Sequence, residues 1–457
     1  MNIIIVGAGG IGRYIASVLS KEQHNVILID RSRKQLEKAA WNIDVATRRG
    51  SGTDWQLLDD LLELSPDFLI ALTNSDETNL ASCSIGKHLG YPRTIARVRD
   101  SRFLNRTRLD FANIFEVDYF IGPELLVAND ILKYIISPGS LAVESFAHGA
   151  VQLRTVAIPI QWRKEHIPLV DLDLPQGVIV GLIRREAKEK QEEGQAAAPK
   201  IIFPHGNTTI LPTDEVTFIG ETQAISELHH FIGVQKKPMR SVVIVGGSLT
   251  GLNLAKLLEQ SNIDVRLIEK DYDRCRLLAE QLPNSTVMNH DGTDIDFFRA
   301  EKIGTAEVLV ACTDSDEVNL VAALLGKEVG CKDVIVMIAN TSFAPLCAKL
   351  GISHTVSPRI SASNHILSQL LSGTVTSLVA FYENQAEIME VNVSMDSRVV
   401  GIPLSELGPL LPKDFLIAMI QNRGRIMIAH GNRIISPGDT VIVIASPRHI
   451  PEMEEIF

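Results

Sequence analysis

With 457 residues, 45% of them hydrophobic and 22% charged, the chain has an ordinary soluble composition and, at roughly 150 residues per domain, length for about three domains. No apolar run approaches the ~18 residues of a membrane span. The start, Met1-Asn-Ile-Ile-Ile-Val-Gly7, enters a strand without the basic flank of a signal peptide, so a cytoplasmic location is expected. A formal net charge of −11 offers no field for nucleic acid or anionic lipid, and a role at a membrane would require docking on another protein. Five cysteines without a C-x-x-C pair (Cys83, Cys275, Cys312, Cys331, Cys347) read as reduced, buried thiols, with no disulfide frame and no metal site.

In chain order, short Ile/Val/Leu runs at 3–6, 26–29, 68–72 and 94–98 alternate with helical segments such as Gly12 to Leu19 and Glu77 to Leu89. Near-continuous apolar strands separated by helices indicate a parallel sheet covered on both faces, a doubly wound Rossmann-like α/β domain. A smaller β-rich segment follows, with His166-Ile-Pro-Leu169, Val178 to Arg184 and His205-Gly-Asn207 through Asp214.

The pattern then recurs. Ile3 to Gly12 matches Val242 to Gly251, and Asp30 matches Glu269, both at an offset of 239; Gly52-Thr-Asp54 and Leu72 to Leu80 match Gly292-Thr-Asp294 and Cys312 to Leu320 at 240. The β-rich segment repeats too, in Gly401-Ile-Pro-Leu404, Phe415 to Gln421 and His430-Gly-Asn432 through Asp439. Its first copy carries a polar insertion within Ala187 to Pro199, read as a surface loop. Four domains are expected: Rossmann-like at 1–137 and 235–372, small α+β at 138–234 and 373–457, with a linker at Gln235-Lys-Lys-Pro238.

Gly7-Ala-Gly9-Gly-Ile-Gly12 fits G-x-G-x-x-G between a strand and a helix, and the next strand ends in Asp30. Gly7 permits the turn, Gly9 the approach of phosphates and Gly12 close helix packing, so phosphates would meet the free N–H groups of the helix. Asp30 would bind ribose hydroxyls and repel a 2′-phosphate, favouring NAD or ATP/ADP over NADP; Arg31 beside it slightly relaxes that exclusion. In the second half Ser248 replaces the middle glycine, and there a strand–helix turn without nucleotide is a serious rival. Thr73-Asn74 and Thr313-Asp314 stand at the carboxyl edge of the sheet, where ligands bind, while the Ser-Asp-Glu after each reads as a helix cap. Arg97, in an apolar strand, needs an anion, either a bound phosphate or a carboxylate; its counterpart is Met337. His229-His230 and His290-Asp291 read as surface features, and His205 and His430 as turn residues.

Together, the Gly7–Gly12 loop, Asp30, the Gly-Thr-Asp and Thr-x-Ser-Asp-Glu-x-Asn motifs, Arg97 and the Ile-Pro-Leu…Pro-x-Asp tails resemble the RCK family, domains that regulate potassium conductance, over almost the whole chain. The resemblance implies a peripheral subunit at the inner face of the cell membrane that binds NAD(H) and ATP or ADP. It would form a homo-oligomeric ring, a dimer or tetramer, under a K+-translocating membrane protein and gate it. Carried over by position, the first site uses Gly7, Ala8, Gly9, Gly10, Ile11, Gly12, Asp30, Thr73, Asn74 and Arg97. The second uses Gly246, Gly247, Ser248, Leu249, Thr250, Gly251, Glu269 and Thr313. Ser248 and Met337 depart from the pattern, so the first half is expected to be the main sensor and the second partly a scaffold.

The rival reading is an NAD-dependent dehydrogenase, which needs an acid/base beside the nicotinamide. No tyrosine here has a lysine four residues on, and only small β-rich modules follow the Rossmann units, so a regulator rather than an enzyme is expected.

Overall fold

The computed structural model describes residues 1–104, 108–137, 139–186, 199–233, 239–352, 354–370, 375–381, 385–412, 414–449, 453 and 456–457. Residues 187–198 of the expected insertion, and all of the expected linker at 235–238, lie outside the described residues.

The first half opens with β1 (Asn2–Val6), α1 (Gly10–Lys21), β2 (Asn25–Asp30), α2 (Arg33–Asn42), β3 (Ala46–Arg49), α3 (Trp55–Asp60), β4 (Phe68–Ala71), α4 (Asp76–Leu89), β5 (Arg93–Arg97), α5 (Phe111–Phe115), β6 (Tyr119–Ile121) and α6 (Pro123–Ile136). The strands form one parallel sheet in the order β3-β2-β1-β4-β5-β6. Ile3, Ile4, Ile5 and Val6 of the central β1 are all buried, which is why their run is continuous rather than alternating. The polar edge strand β3, Ala-Thr-Arg-Arg, is largely exposed and shows no apolar signature in the sequence.

An antiparallel sheet follows, built from β7 (Ser140–Phe146), β8 (Val151–Ala157), β9 (Val178–Arg185), β10 (Lys200–Ile202) and β11 (Glu215–Glu221), and then α7 (Thr222–Ser226) and α8 (Leu228–Ile232). The second half repeats the parallel sheet as β12 (Ser241–Val245), α9 (Leu249–Gln260), β13 (Asp264–Glu269), α10 (Tyr272–Gln281), β14 (Thr286–Asn289), α11 (Ile295–Ala300), β15 (Val308–Ala311), α12 (Asp316–Glu328), β16 (Asp333–Met337), α13 (Ala344–Lys349), β17 (His354–Val356) and α14 (Pro358–Leu370). Its order, β14-β13-β12-β15-β16-β17, is the same. The chain closes with a second antiparallel sheet of β18 (Val375–Phe381), β19 (Ala386–Asn392), β20 (Phe415–Asn422), β21 (Arg425–Ile428) and β22 (Thr440–Ala445). The recurring Pro-x-Asp tails have a local purpose. Asp214 accepts from Leu211 N at 2.7 Å and pairs with Arg185, and Asp439 accepts from Ser436 N at 2.9 Å, each carboxylate closing its own turn.

Like segments cluster with like: one compact unit holds Met1–Ile135 and Met239–Ile366, the other Ile136–Pro238 and Leu367–Phe457. In the first unit α6 leaves its own sheet, and Val127, Ala128, Ile131 and Ile135 enter the core of the second sheet beside Val242, Ile244 and Leu254. Ser361 Oγ of α14 donates to Asp130 of α6 at 2.6 Å, and Tyr134 stacks on His354 at 4.4 Å between ring centres. In the other unit Phe146, Leu153 and Leu182 share a core with Ile388, Met419 and Ile444. All five cysteines are free and buried, and burial pushes the Cys312 thiol up to about 12.

Burial also holds the His354 imidazole below its ordinary 6.5. The unfolded chain therefore takes up that proton first on acidification, so stability is intact above about pH 6.5 and falls below it, by at most ~1.4 kcal/mol per pH unit for one such group. The thermal midpoint is expected to drop between about pH 7.5 and about pH 5.5, and His354→Gln to flatten the slope. A midpoint indifferent to pH in this range would contradict the assignment.

Candidate nucleotide sites

Two backbone constraints shape the first loop. Gly7 has φ +107°, and a Cβ there would lie 3.0 Å from Leu72 C and Thr73 N. A Cβ on Gly12 would stand 1.9 Å from the Gly7 carbonyl oxygen, so α1 can approach β1 only with glycine there. Gly9 is different: it caps α1 without any side-chain hydrogen bond, and a Cβ on it would meet no protein atom within 4 Å. Protein packing does not require glycine at that point, whereas an anion seated on the open helix N-terminus does. Asp30 ties the loop down, accepting from Ala8 N at 2.8 Å and Ser32 N at 2.7 Å, and its remaining lone pairs are free for ribose hydroxyls. The cleft so formed, about 360 Å³, is bordered by Gly7, Asp30, Gly52, Thr73 and Asn74. Gly10 begins α1 and Ile11 is half-buried in its first turn.

The Thr-x-Ser-Asp-Glu-x-Asn motif is chiefly a clamp. Asn79, fully buried, accepts from both the Thr73 N–H (2.8 Å) and hydroxyl (2.7 Å), and donates to Thr73 O and Arg97 O. Asn319 does the same for Thr313 and Met337 O. The two threonines border the clefts, but their hydroxyls are turned toward these asparagines. Ser75 and Ser315 cap α4 and α12, as their spacing suggests. Arg97 finds a carboxylate: its Nη2 donates to Glu124 Oε1 at 2.8 Å, and Nη1 reaches Asn74 Oδ1 at 3.2 Å. Of the two anions considered for it, the structure holds the carboxylate.

The second loop repeats the geometry. Gly246 has φ +110°, a Cβ on Gly251 would fall 2.1 Å from Gly246 O, and Glu269 accepts from Gly247 N at 2.7 Å. Ser248 turns its hydroxyl inward, donating to Cys312 O at 2.7 Å and accepting from Gly251 N at 3.2 Å, so it takes one N–H that the first loop leaves open. Thr250 is buried, whereas Leu249 lines the cleft. At about 710 Å³ this cleft is about twice the first, so size does not follow the count of glycines.

The sequence reading missed the cations. In the first half Arg13 of α1 donates to Ala8 O at 2.8 Å; in the second, Arg274 of α10 donates to the equivalent Gly247 O at 2.8 Å. At the repeat offset Arg13 corresponds to Leu252 and Arg274 to Gln35, so the guanidinium has changed helix and kept its carbonyl. Arg99, two residues beyond Arg97, lines the second cleft from the first half. An arginine in the first turn of a helix beside the loop was the available signal. His290 pairs with Asp294 at 2.9 Å on the rim. Glu227, His229 and His230, two of them exposed, bring ligand-type atoms within 4.8 Å of one another in the small domain.

Residues 3–117 and 242–358 match the TrkA-N domain family and 388–457 the TrkA-C domain family. The chain is 32% identical over 465 residues to Trk system potassium uptake protein TrkA homolog 1 of Methanosarcina mazei, covering 100% of both. It is 30% identical over 473 residues to Trk system potassium uptake protein TrkA of Haemophilus influenzae, covering 100% of this chain and 98% of that one. Among solved structures it resembles the GsuK RCK domain (TM-score 0.63, 17% identity, 100% and 94% covered) and a GsuK channel bound to NAD (TM-score 0.61, 16% identity, 100% and 78% covered). At those identities the likeness is one of fold, and it is the fold described above. Full-length similarity, both domain families and the doubled Rossmann architecture place the chain in the family of Trk system potassium uptake protein TrkA.

Proposed function

We propose that the chain is a nucleotide-controlled regulatory subunit of a potassium uptake system, docking on a K+-translocating membrane protein and gating it. The observation that carries this reading is the pair of phosphate loops, each tied to an acidic strand end, within one compact unit in which α6 of the first half packs into the core of the second. A nucleotide that fits one arrangement of the halves better than another shifts their equilibrium, and its effect is bounded by that difference in affinity. Asp30 and Glu269 favour ribose with a free 2′-hydroxyl, which selects NAD(H), ADP and ATP over NADP. No described helix is long and apolar enough to cross a membrane. The reading places the protein on its partner as a homo-oligomeric ring at the cytoplasmic face. Bound nucleotide supplies charge and shape to the switch, and no chemical step is assigned to it.

The test is potassium flux through the reconstituted membrane partner, with and without this subunit and each of NAD, NADH, ADP and ATP. Flux is expected to depend on the subunit and to differ between nucleotides. Flux insensitive to all four, or turnover of NADH with a metabolite by the purified chain, would overturn the reading.

A further inference from the structure

Arg359 belongs to the second half yet lies on the phosphate loop of the first. It is the second residue of α14, and its Nη2, Nε and Cζ stand 3.3, 3.4 and 3.6 Å from the position a Cβ on Gly10 would take. The side chain is half-buried, and among the described residues it makes no hydrogen bond or ion pair. The repeat shows how it came to be free. β6 and β17 are each followed by a proline that opens a helix, so Gly122-Pro123-Glu124 corresponds to Ser357-Pro358-Arg359. In the first half Glu124 neutralises Arg97; in the second, Arg97 has become Met337 and the acid has become Arg359.

The released guanidinium sits beside the positive end of the α1 dipole, with Arg13 in the same turn. Asp30 is the acid of this loop, and its two oxygens already accept from Ala8 and Ser32. Tyr14, which also feels Arg359, keeps its proton because burial raises its pKa. Among the described residues no carboxylate pairs with Arg359, and a guanidinium beside a helix N-terminus is repelled by it until an anion joins the two. Gly9 leaves the space for that anion.

We propose that Arg359 is a phosphate-binding residue of the first nucleotide site, supplied across the halves, and that it takes the distal phosphate of a nucleoside di- or triphosphate. The proposal rests on the nucleotide reading of the first cleft. A ligand held by Asp30 at its ribose and by Arg359 at its distal phosphate ties the end of β2 to α14, so occupancy of the first site is felt by the second half.

The test uses the full-length chain with the second site silenced by Glu269→Ala, titrated calorimetrically with adenosine, AMP, ADP and ATP. Arg359→Gln is expected to weaken ADP and ATP by roughly tenfold or more, the worth of a charge-assisted hydrogen bond. Adenosine should be unaffected, and Arg359→Lys should restore part of the loss. Without ligand, Arg359→Gln should melt no earlier than its parent, because it removes an unpaired cation; an arginine that merely braced the fold would give a lower midpoint. Unchanged ADP and ATP affinities, or an equal loss for adenosine, overturn the proposal while leaving the nucleotide site standing. A parent that binds none of the four ligands overturns the nucleotide reading, and the proposal with it.

Discussion

A chain carrying Gly12→Ala is expected to unfold at a clearly lower midpoint and to lose nucleotide from the first cleft. The new methyl would stand 1.9 Å from the Gly7 carbonyl oxygen, a rigid backbone atom. Relief requires α1 to move off β1, and overpacking of this kind costs about 1–3 kcal/mol and sometimes more. Moving α1 also displaces the N–H groups that would face the phosphates, so stability and binding should fall together. Gly9→Ala is the contrasting variant. Its methyl meets no protein atom within 4 Å, so the midpoint should hold while ADP affinity drops. Thermal melts and titrations of both variants separate packing from phosphate contact. A Gly12→Ala chain that melts like its parent would sink the packing argument, and a Gly9→Ala chain that binds ADP normally would sink the assignment of Gly9 to the phosphates.

The second large effect is expected at the Arg97–Glu124 pair. These side chains are only 10% and 14% exposed, and Arg97 Nε and Glu124 Oε2 already lack partners. Removing one member leaves an uncompensated charge where water cannot reach it, a loss of about 3–5 kcal/mol for a buried pair. Imperfect hydrogen bonding, and the help Glu124 receives from Arg99 at 3.1 Å, place both Arg97→Met and Glu124→Gln near the low end of that range. The double substitution should recover much of the loss, because the second half folds with Met337 in place of the arginine. A chemical-denaturation cycle over the four chains measures the coupling, and strict additivity would refute it. If Arg97→Met instead abolished nucleotide binding without loss of stability, the phosphate role for Arg97 would replace the structural one.

Much of this was legible in the residues themselves. Gly12 and Gly251 are required by contacts within a single β-turn-α unit, and Gly7 and Gly246 by the positive φ of the turn itself, so local order was enough to find them. The strands were visible because both faces of each central strand are buried, which leaves a continuous apolar run. The edge strand β3 was not, since its Thr-Arg-Arg faces water and needs no apolar pattern. Thr73 and Thr313 were assigned to ligand by position at the sheet edge, but the direction of a hydroxyl depends on Asn79 and Asn319 six residues on, and the spacing alone does not reveal that clamp. Ser248 looked like an obstruction; whether a small hydroxyl blocks a cleft or caps a helix depends on which carbonyl lies within its reach.

The sequence by itself determined the doubled Rossmann plan, the two glycine-rich loops, the acidic strand ends and the buried thiols, because each follows from periodicity, backbone freedom or burial within a short stretch of chain. Only the tertiary structure decided that α6 would be buried in the other half's core, that Arg274 would stand in for Arg13 from a different helix, and that Arg359 would lie over Gly10. Those outcomes turn on which surfaces meet and how far a side chain extends across the meeting. A guanidinium at the end of a long, flexible stem serves a carbonyl or a phosphate equally well from either of two helices, so its place in the site belongs to the packed molecule and to no motif.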